Sequence, residues 1–148
     1  MTLVEALRGA RSAVVDTMIL IYLFEDHAAY GDRAESIMRN ASRKVFEAII
    51  TPVTAAEVLV RPLQAERPDI ADHYRTAMAH FDNSRRCSLT WDASCMAGAL
   101  RTRYGLPIPD MLQVALAMET GSCALITNDR ALRRVEEVPV VLLDDLSI

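Results

Sequence analysis

Pro109-Asp110-Met-Leu-Gln-Val-Ala-Leu-Ala-Met-Glu-Thr120-Gly121-Ser-Cys123-Ala-Leu-Ile-Thr127-Asn128-Asp129 is the stretch that decides the fold. Pro109–Thr120 is rich in Ala, Met and Leu and reads as a well-buried helix, with proline at its start and Gly121 as its terminator. Cys123–Thr127 is a short apolar run stopped by Asn-Asp, which reads as a strand. The alternation then repeats, with a short helix over Arg130–Val135 and a strand over Val138–Leu143.

Upstream the pattern is the same. Ser12–Val15 reads as a first strand, stopped by Asp16-Thr17. Met18–Phe24 is apolar all round, and the Asp16-Thr17 start signal favours helix over strand. Asp32–Ser42 is helical in period, with Ala34, Ile37, Met38 and Ala41 on one face. Val45–Thr51 reads as a strand broken by Pro52, and Thr54–Leu63 as a helix stopping near Pro62. Ile70–Phe81 is a further amphipathic helix. Cys87–Trp91 reads as a short strand and Asp92–Tyr104 as a helix ended by Gly105 and Pro107. Strands alternating with helices predict an α/β chain with a parallel sheet covered on both faces. In such sheets ligands bind outside the carboxyl ends of the strands.

The length, 148 residues, fits a single domain over residues 1–148. A net charge of −4 argues against a chain-wide electrostatic grip on nucleic acid. Lys44 is the sole lysine beside fifteen arginines. Arginine suits bidentate contact with phosphate, and GC-rich coding accounts for the same imbalance. Cys87, Cys95 and Cys123 form no CxxC pair, so neither a disulfide framework nor a zinc site is indicated; they read as core thiols. Glu5, Arg8 and Arg11 stand where a signal peptide would be apolar. Met18–Phe24 is far too short to span a bilayer. The sequence reads as cytoplasmic.

Four carboxylates stand at the predicted carboxyl edge. Asp16 and Asp129 directly follow strands, and each also serves as an ordinary helix cap. Asp110 follows Leu106-Pro-Ile-Pro109 and falls in a first helical turn, where the dipole favours a carboxylate. Thr54-Ala-Ala-Glu57 matches a capping box, yet Glu57 at that edge can equally point into the cleft. Singly, each acid has a structural explanation. Together they are like charges at one edge, which repel and raise one another's pKa values. A hard cation such as Mg²⁺ or Mn²⁺ would offset that repulsion and prefers oxygen ligands.

Around these acids the sequence resembles PIN-domain nucleases, in particular the VapC-type toxin ribonucleases of type II toxin–antitoxin pairs. The matching stretches are Val14-Val-Asp16-Thr17, Thr54-Ala-Ala-Glu57-Val-Leu-Val, Ile108-Pro-Asp110-Met-Leu-Gln-Val-Ala-Leu-Ala and Leu125-Ile-Thr127-Asn128-Asp129-Arg-Ala-Leu. The resemblance implies a three-layer α/β/α sandwich and places Asp16, Glu57, Asp110 and Asp129 on the family's acidic quartet, as metal ligands and catalytic acids. Thr127 and Asn128 fall on its supporting polar pair, and Thr17 neighbours the first acid. It also implies RNA cleavage with Mg²⁺ or Mn²⁺, a homodimer and a cognate antitoxin. Asp16 is the candidate bridging ligand. Leu132 departs from a frequent Phe, a packing change. The Met1–Arg11 start is longer than usual and reads either as a mis-assigned start codon or as a dimer-edge helix.

Arg61, one turn past Glu57, and Arg130, beside Asp129, are candidate RNA or antitoxin contacts; for Arg133 and Arg134 a solvated helix face is the favoured reading. His27, His73 and His80 match no site pattern. Trp91 and Tyr104 read as core, and Asp144-Asp145 as exposed terminal charge. A phosphatase-like hydrolase built on Asp16 needs a second Asp two residues on, where this chain has Met18. A non-catalytic PIN-like module that binds RNA or protein is the alternative to a ribonuclease.

Overall fold

The computed structural model describes residues 1–147. Among them, five strands form one sheet: β1 Ser12–Val15, β2 Glu47–Ile50, β3 Ser84–Arg86, β4 Cys123–Thr127 and β5 Val140–Leu142. The order is β3-β2-β1-β4-β5 and every pairing is parallel. Val14 stands opposite both Ile49 and Leu125, so β1 is the central strand.

Period-two alternation divides the strand side chains between two cores. Ala13, Val15, Ala48, Ile50, Ala124 and Ile126 belong to one core, shared with α2 (Thr17–Phe24), α3 (Gly31–Ser42), α4 (Pro52–Gln64) and α5 (Pro68–His80). Val14, Ile49 and Leu125 belong to the other, shared with α6 (Trp91–Tyr104) and α7 (Ile108–Thr120). The sheet is thus covered on both faces, which is why its central strands are apolar throughout. The expected three-layer α/β/α sandwich is present. The chain order switches direction between β1 and β4, and in open α/β sheets the carboxyl ends at such a switch point are where ligands bind.

A short helix, α1 (Leu3–Leu7), precedes β1 and is held by a capping box between Thr2 and Glu5. It buries Leu3, Ala6 and Leu7 and packs by β5. The Met1–Arg11 segment therefore does form a helix, and its apolar face is used within the chain.

Four sequence expectations need correction. The third strand lies at Ser84–Arg86, not Cys87–Trp91. It is an edge strand paired only with β2, so it needs no apolar pattern, and Thr90 instead caps α6 by accepting from the Ala93 N–H at 3.0 Å. Trp91 is consequently the first residue of that helix and 83% exposed, not core. Helix α6 buries Ala93, Ala97, Leu100 and Tyr104 at helical spacing, which turns Cys95 outward as well. Of the three thiols only Cys123 is fully buried. Helix α4 also runs past Pro62 to Gln64, since a proline so near the end removes a single intrahelical bond.

Tyr104 is buried as expected, and its hydroxyl accepts from the Glu136 N–H. The three histidines are exposed. No helix among the described residues is long and apolar enough to cross a membrane.

Candidate metal centre

Each of the four acids is positioned by a different element. Asp16 ends β1 and caps α2, with its Oδ1 accepting from the Thr17 N–H at 2.8 Å. Glu57 lies on the second turn of α4, Asp110 in the first turn of α7, and Asp129 just after β4. Asp129 also caps the 3-10 turn Arg130–Arg134 by accepting from the Ala131 N–H at 2.9 Å. The cap readings of Asp16 and Asp129 are therefore correct and compatible with a site.

Glu57 is decided against the capping box. Thr51, not Thr54, caps α4, accepting from the Thr54 N–H at 3.2 Å. Thr54 is then free to turn inward and is fully buried. Glu57 Oε1 accepts instead from the Thr17 hydroxyl at 2.8 Å, across to α2.

A polar network not anticipated from sequence lies beneath the acids. Its hub is Gln113, 1% exposed in an otherwise apolar face of α7. The Thr51 hydroxyl donates to Gln113 Oε1. Gln113 Nε2 donates to Thr54 Oγ1 at 2.8 Å and approaches Asp16 Oδ1 at 3.4 Å. The Thr54 and Thr17 hydroxyls are 3.0 Å apart. The chain ends on the Glu57 carboxylate, which only accepts. That fixes its direction: Thr51 donates to Gln113, Gln113 to Thr54, Thr54 to Thr17, and Thr17 to Glu57. No buried side-chain nitrogen or oxygen among the described residues lacks a partner. Gln113 was detectable in principle, one turn from Asp110 as a lone polar residue in a buried run.

Thr127 ties two acids together. Its hydroxyl donates to Asp16 Oδ2 at 2.7 Å and accepts from the Asp129 N–H at 3.1 Å. Asn128 is directed elsewhere. Its Oδ1 accepts from the Asp144 N–H at 3.1 Å, joining the ends of β4 and β5.

The acids share an electrostatic field. Asp16 is 5% exposed; burial pushes its carboxyl up, while bonds from Thr127, Thr17 and Gln113 pull it back. The half-buried Asp110 is pushed up to about 6, first by burial and then by the charges of Asp16, Asp129 and Glu57. No ion pair among the described residues includes any of the four acids. The nearby candidate cations are engaged elsewhere: Arg61 with Glu25 at 2.9 Å, and Arg130 with Asp144 at 3.1 Å. Arg133 likewise holds Asp145, so the terminal acids are not idle exposed charge.

A set of carboxylate and hydroxyl oxygens without imidazole or thiol fits a hard divalent cation. Among the described residues, no three Asp, Glu, His or Cys side chains are drawn close enough to form a ready coordination set. The acids are coupled neighbours, with Asp16 and Asp129 turned partly onto backbone amides.

Residues 13–138 match the family model described as PIN domain. No curated protein sequence matches the chain significantly. Among solved structures, the chain is similar to one from a toxin–antitoxin complex of Klebsiella pneumoniae, with a TM-score of 0.69 and 24% identity, covering 89% of this chain and 98% of that one. It is similar to a chain of VapBC2 from Rickettsia felis bound to a promoter DNA fragment (TM-score 0.69, 16% identity, 86% and 96% covered). It is also similar to VapC20 from Mycobacterium tuberculosis, a sarcin-ricin loop cleaving toxin (TM-score 0.67, 16% identity, 86% and 99% covered). At these identities the structural likeness speaks to the fold.

Proposed function

The chain belongs to the PIN-domain family, and from that premise we propose that it is a metal-dependent ribonuclease, the toxin of a toxin–antitoxin pair. One observation carries the reading: four carboxylates from four elements act on one another at the sheet's switch point with no basic partner among the described residues. Such a set gains from a bound cation, whereas a purely structural role gives no reason to gather them.

In this reading Asp16, Glu57, Asp110 and Asp129 hold Mg²⁺ or Mn²⁺. When bound, such an ion lowers the pKa of a coordinated water and offsets charge on the phosphate undergoing attack. The chain's own residues supply orientation. Thr127, the Thr17 amide and Gln113 fix both oxygens of Asp16. The relay from Thr51 to Thr17 holds Glu57 with one oxygen engaged. Asp110 has no fixed partner of this kind among the described residues and is the acid most readily moved. The solved complexes to which the chain is similar support an antitoxin as its partner, and the family supports a homodimer and an RNA substrate.

The test is cleavage of RNA by the purified protein with Mg²⁺ or Mn²⁺, beside Asp110→Asn. Cleavage by the wild type that falls at least a hundredfold in the variant supports the reading. Equal cleavage by both sinks the mechanism. No cleavage by either, with RNA still bound, makes the chain a binding module.

A further inference from the structure

Helix α4 has two working flanks. Thr54 and Glu57 face the acids, whereas Ala55 and Leu59 line a cavity on the other side, enclosed by α5 and the end of the β3 edge. The cavity measures about 340 Å³, and its walls are mainly apolar, from Ile50, Leu59 and Met78. Arg75 and Arg86 stand on its lining, and both residues are exposed. Neither has a carboxylate partner among the described residues, unlike Arg61, Arg85, Arg130 and Arg133. The Arg86 guanidinium is held over the cavity by the Ser84 hydroxyl at 2.8 Å and the Met78 carbonyl at 3.5 Å. Thr51, on the lining too, begins the relay to Glu57, so cavity and acids share a wall.

We propose that this cavity takes a nucleobase of single-stranded RNA adjacent to the cleaved bond, with Arg75 and Arg86 on the neighbouring phosphate. The inference rests on the ribonuclease reading. Three physical arguments support it. A polyanion meets repulsion from four carboxylates and needs cations beside them, and these two arginines are the unneutralised ones on this flank. The volume lies in the range of about 300–1,000 Å³ typical of small-ligand sites and accommodates a base. Single-stranded RNA is read by unstacked bases placed on apolar, aromatic or guanidinium surfaces. The separation also suits neighbouring nucleotides, because the acids and the cavity flank a single helix about 10 Å across.

The experiment is fluorescence anisotropy with a labelled single-stranded oligoribonucleotide in EDTA, so that nothing is cut. Arg75→Gln/Arg86→Gln is expected to weaken binding at least tenfold, and to lower the slope of log affinity against log salt by about 0.7, the loss of one phosphate contact. Ala79→Phe keeps both charges but fills the cavity mouth, and is expected to weaken binding several-fold. An oligonucleotide with one abasic site should lose affinity for the wild type at one position and lose none for Ala79→Phe there. Melting temperatures matching the wild type show that the variants fold. Equal affinity across the folded variants, or indifference to an abasic site at every position, overturns the proposal. So does unchanged RNA affinity with loss of inhibition by a cognate antitoxin, which assigns the cavity to a protein partner. Wild-type cleavage with Mn²⁺, scored separately, judges the ribonuclease reading: its absence with the binding differences intact removes the nuclease and leaves the cavity as an RNA site.

Discussion

Thr127 donates its hydroxyl to Asp16 Oδ2 at 2.7 Å although 111 positions separate the two residues. Asp16 is 5% exposed and has no ion-pair partner among the described residues, so this bond is a large part of what makes its ionised form tolerable. Thr127→Val keeps the shape and removes the donor. Stability at pH 7 is expected to fall by about 1.5–3 kcal/mol, the range for a hydrogen bond to a charged group. Mn²⁺ affinity is expected to fall by about 10–100-fold. Chemical denaturation and metal titration check both. An unchanged variant would show that Asp16 does not depend on this bond.

Gln113 carries no charge, yet it should behave as part of the site. Gln113→Leu removes the centre of the relay and leaves the buried Thr51 and Thr54 hydroxyls short of partners. A loss of about 1–3 kcal/mol is expected. Coupling to Asp16→Asn in a double-mutant cycle is expected at about 0.5 kcal/mol or more, as for residues in one network. Additive losses would detach Gln113 from the acid.

Asp110 gives a pH signature. Its folded pKa, about 6, lies above the unfolded value near 3.8, so the folded state binds the proton more tightly. The stability it contributes is fully present below pH 3.8 and is lost as pH rises to 6. Without divalent ions, Asp110→Asn should therefore match the wild type near pH 3.5, gain on it between pH 4 and 6, and stay ahead above that. Mn²⁺ at a hundredfold excess over Kd should stabilise the wild type by about 2.7 kcal/mol and so close most of that gap at pH 7, while leaving Asp110→Asn nearly unmoved. Parallel melting curves at every pH would contradict the shared field of the four acids.

Trp91 is the sole tryptophan and 83% exposed. Its fluorescence should be that of a solvated indole, readily quenched by iodide. Trp91→Ser should change stability by less than about 0.5 kcal/mol, as expected of an exposed position. A buried emission spectrum would contradict the start of α6.

What the sequence made legible follows from the range of the forces involved. The sheet alternation and the edge on which Asp16, Asp110 and Asp129 sit came from local pattern, because short apolar runs and prolines mark strand ends without tertiary help. Glu57 was undecidable, since Thr51 and Thr54 are equally good caps and only packing of Thr54 against Gln113 and Thr17 selects between them. Gln113 looked like one polar residue in a buried helix, and its partners lie at the start of α4 and the end of β1. β3 was misplaced because an exposed edge strand carries no apolar signature. Trp91 was misassigned because size suggests burial, whereas the Thr90 cap sets which face of α6 is turned inward.

The central placement of β1 has a temporal consequence. A ribosome would deliver Asp16 more than a hundred residues ahead of its partner strand, with Thr127 and Asp129. A growing chain that has reached α6 holds Asp16 and Glu57 but neither the hydroxyl that steadies Asp16 nor two of the four acids. Contacts of such long sequence separation close late in folding. The four acids are thereby kept from acting as a set until β4 has been made, a delay written into strand order alone.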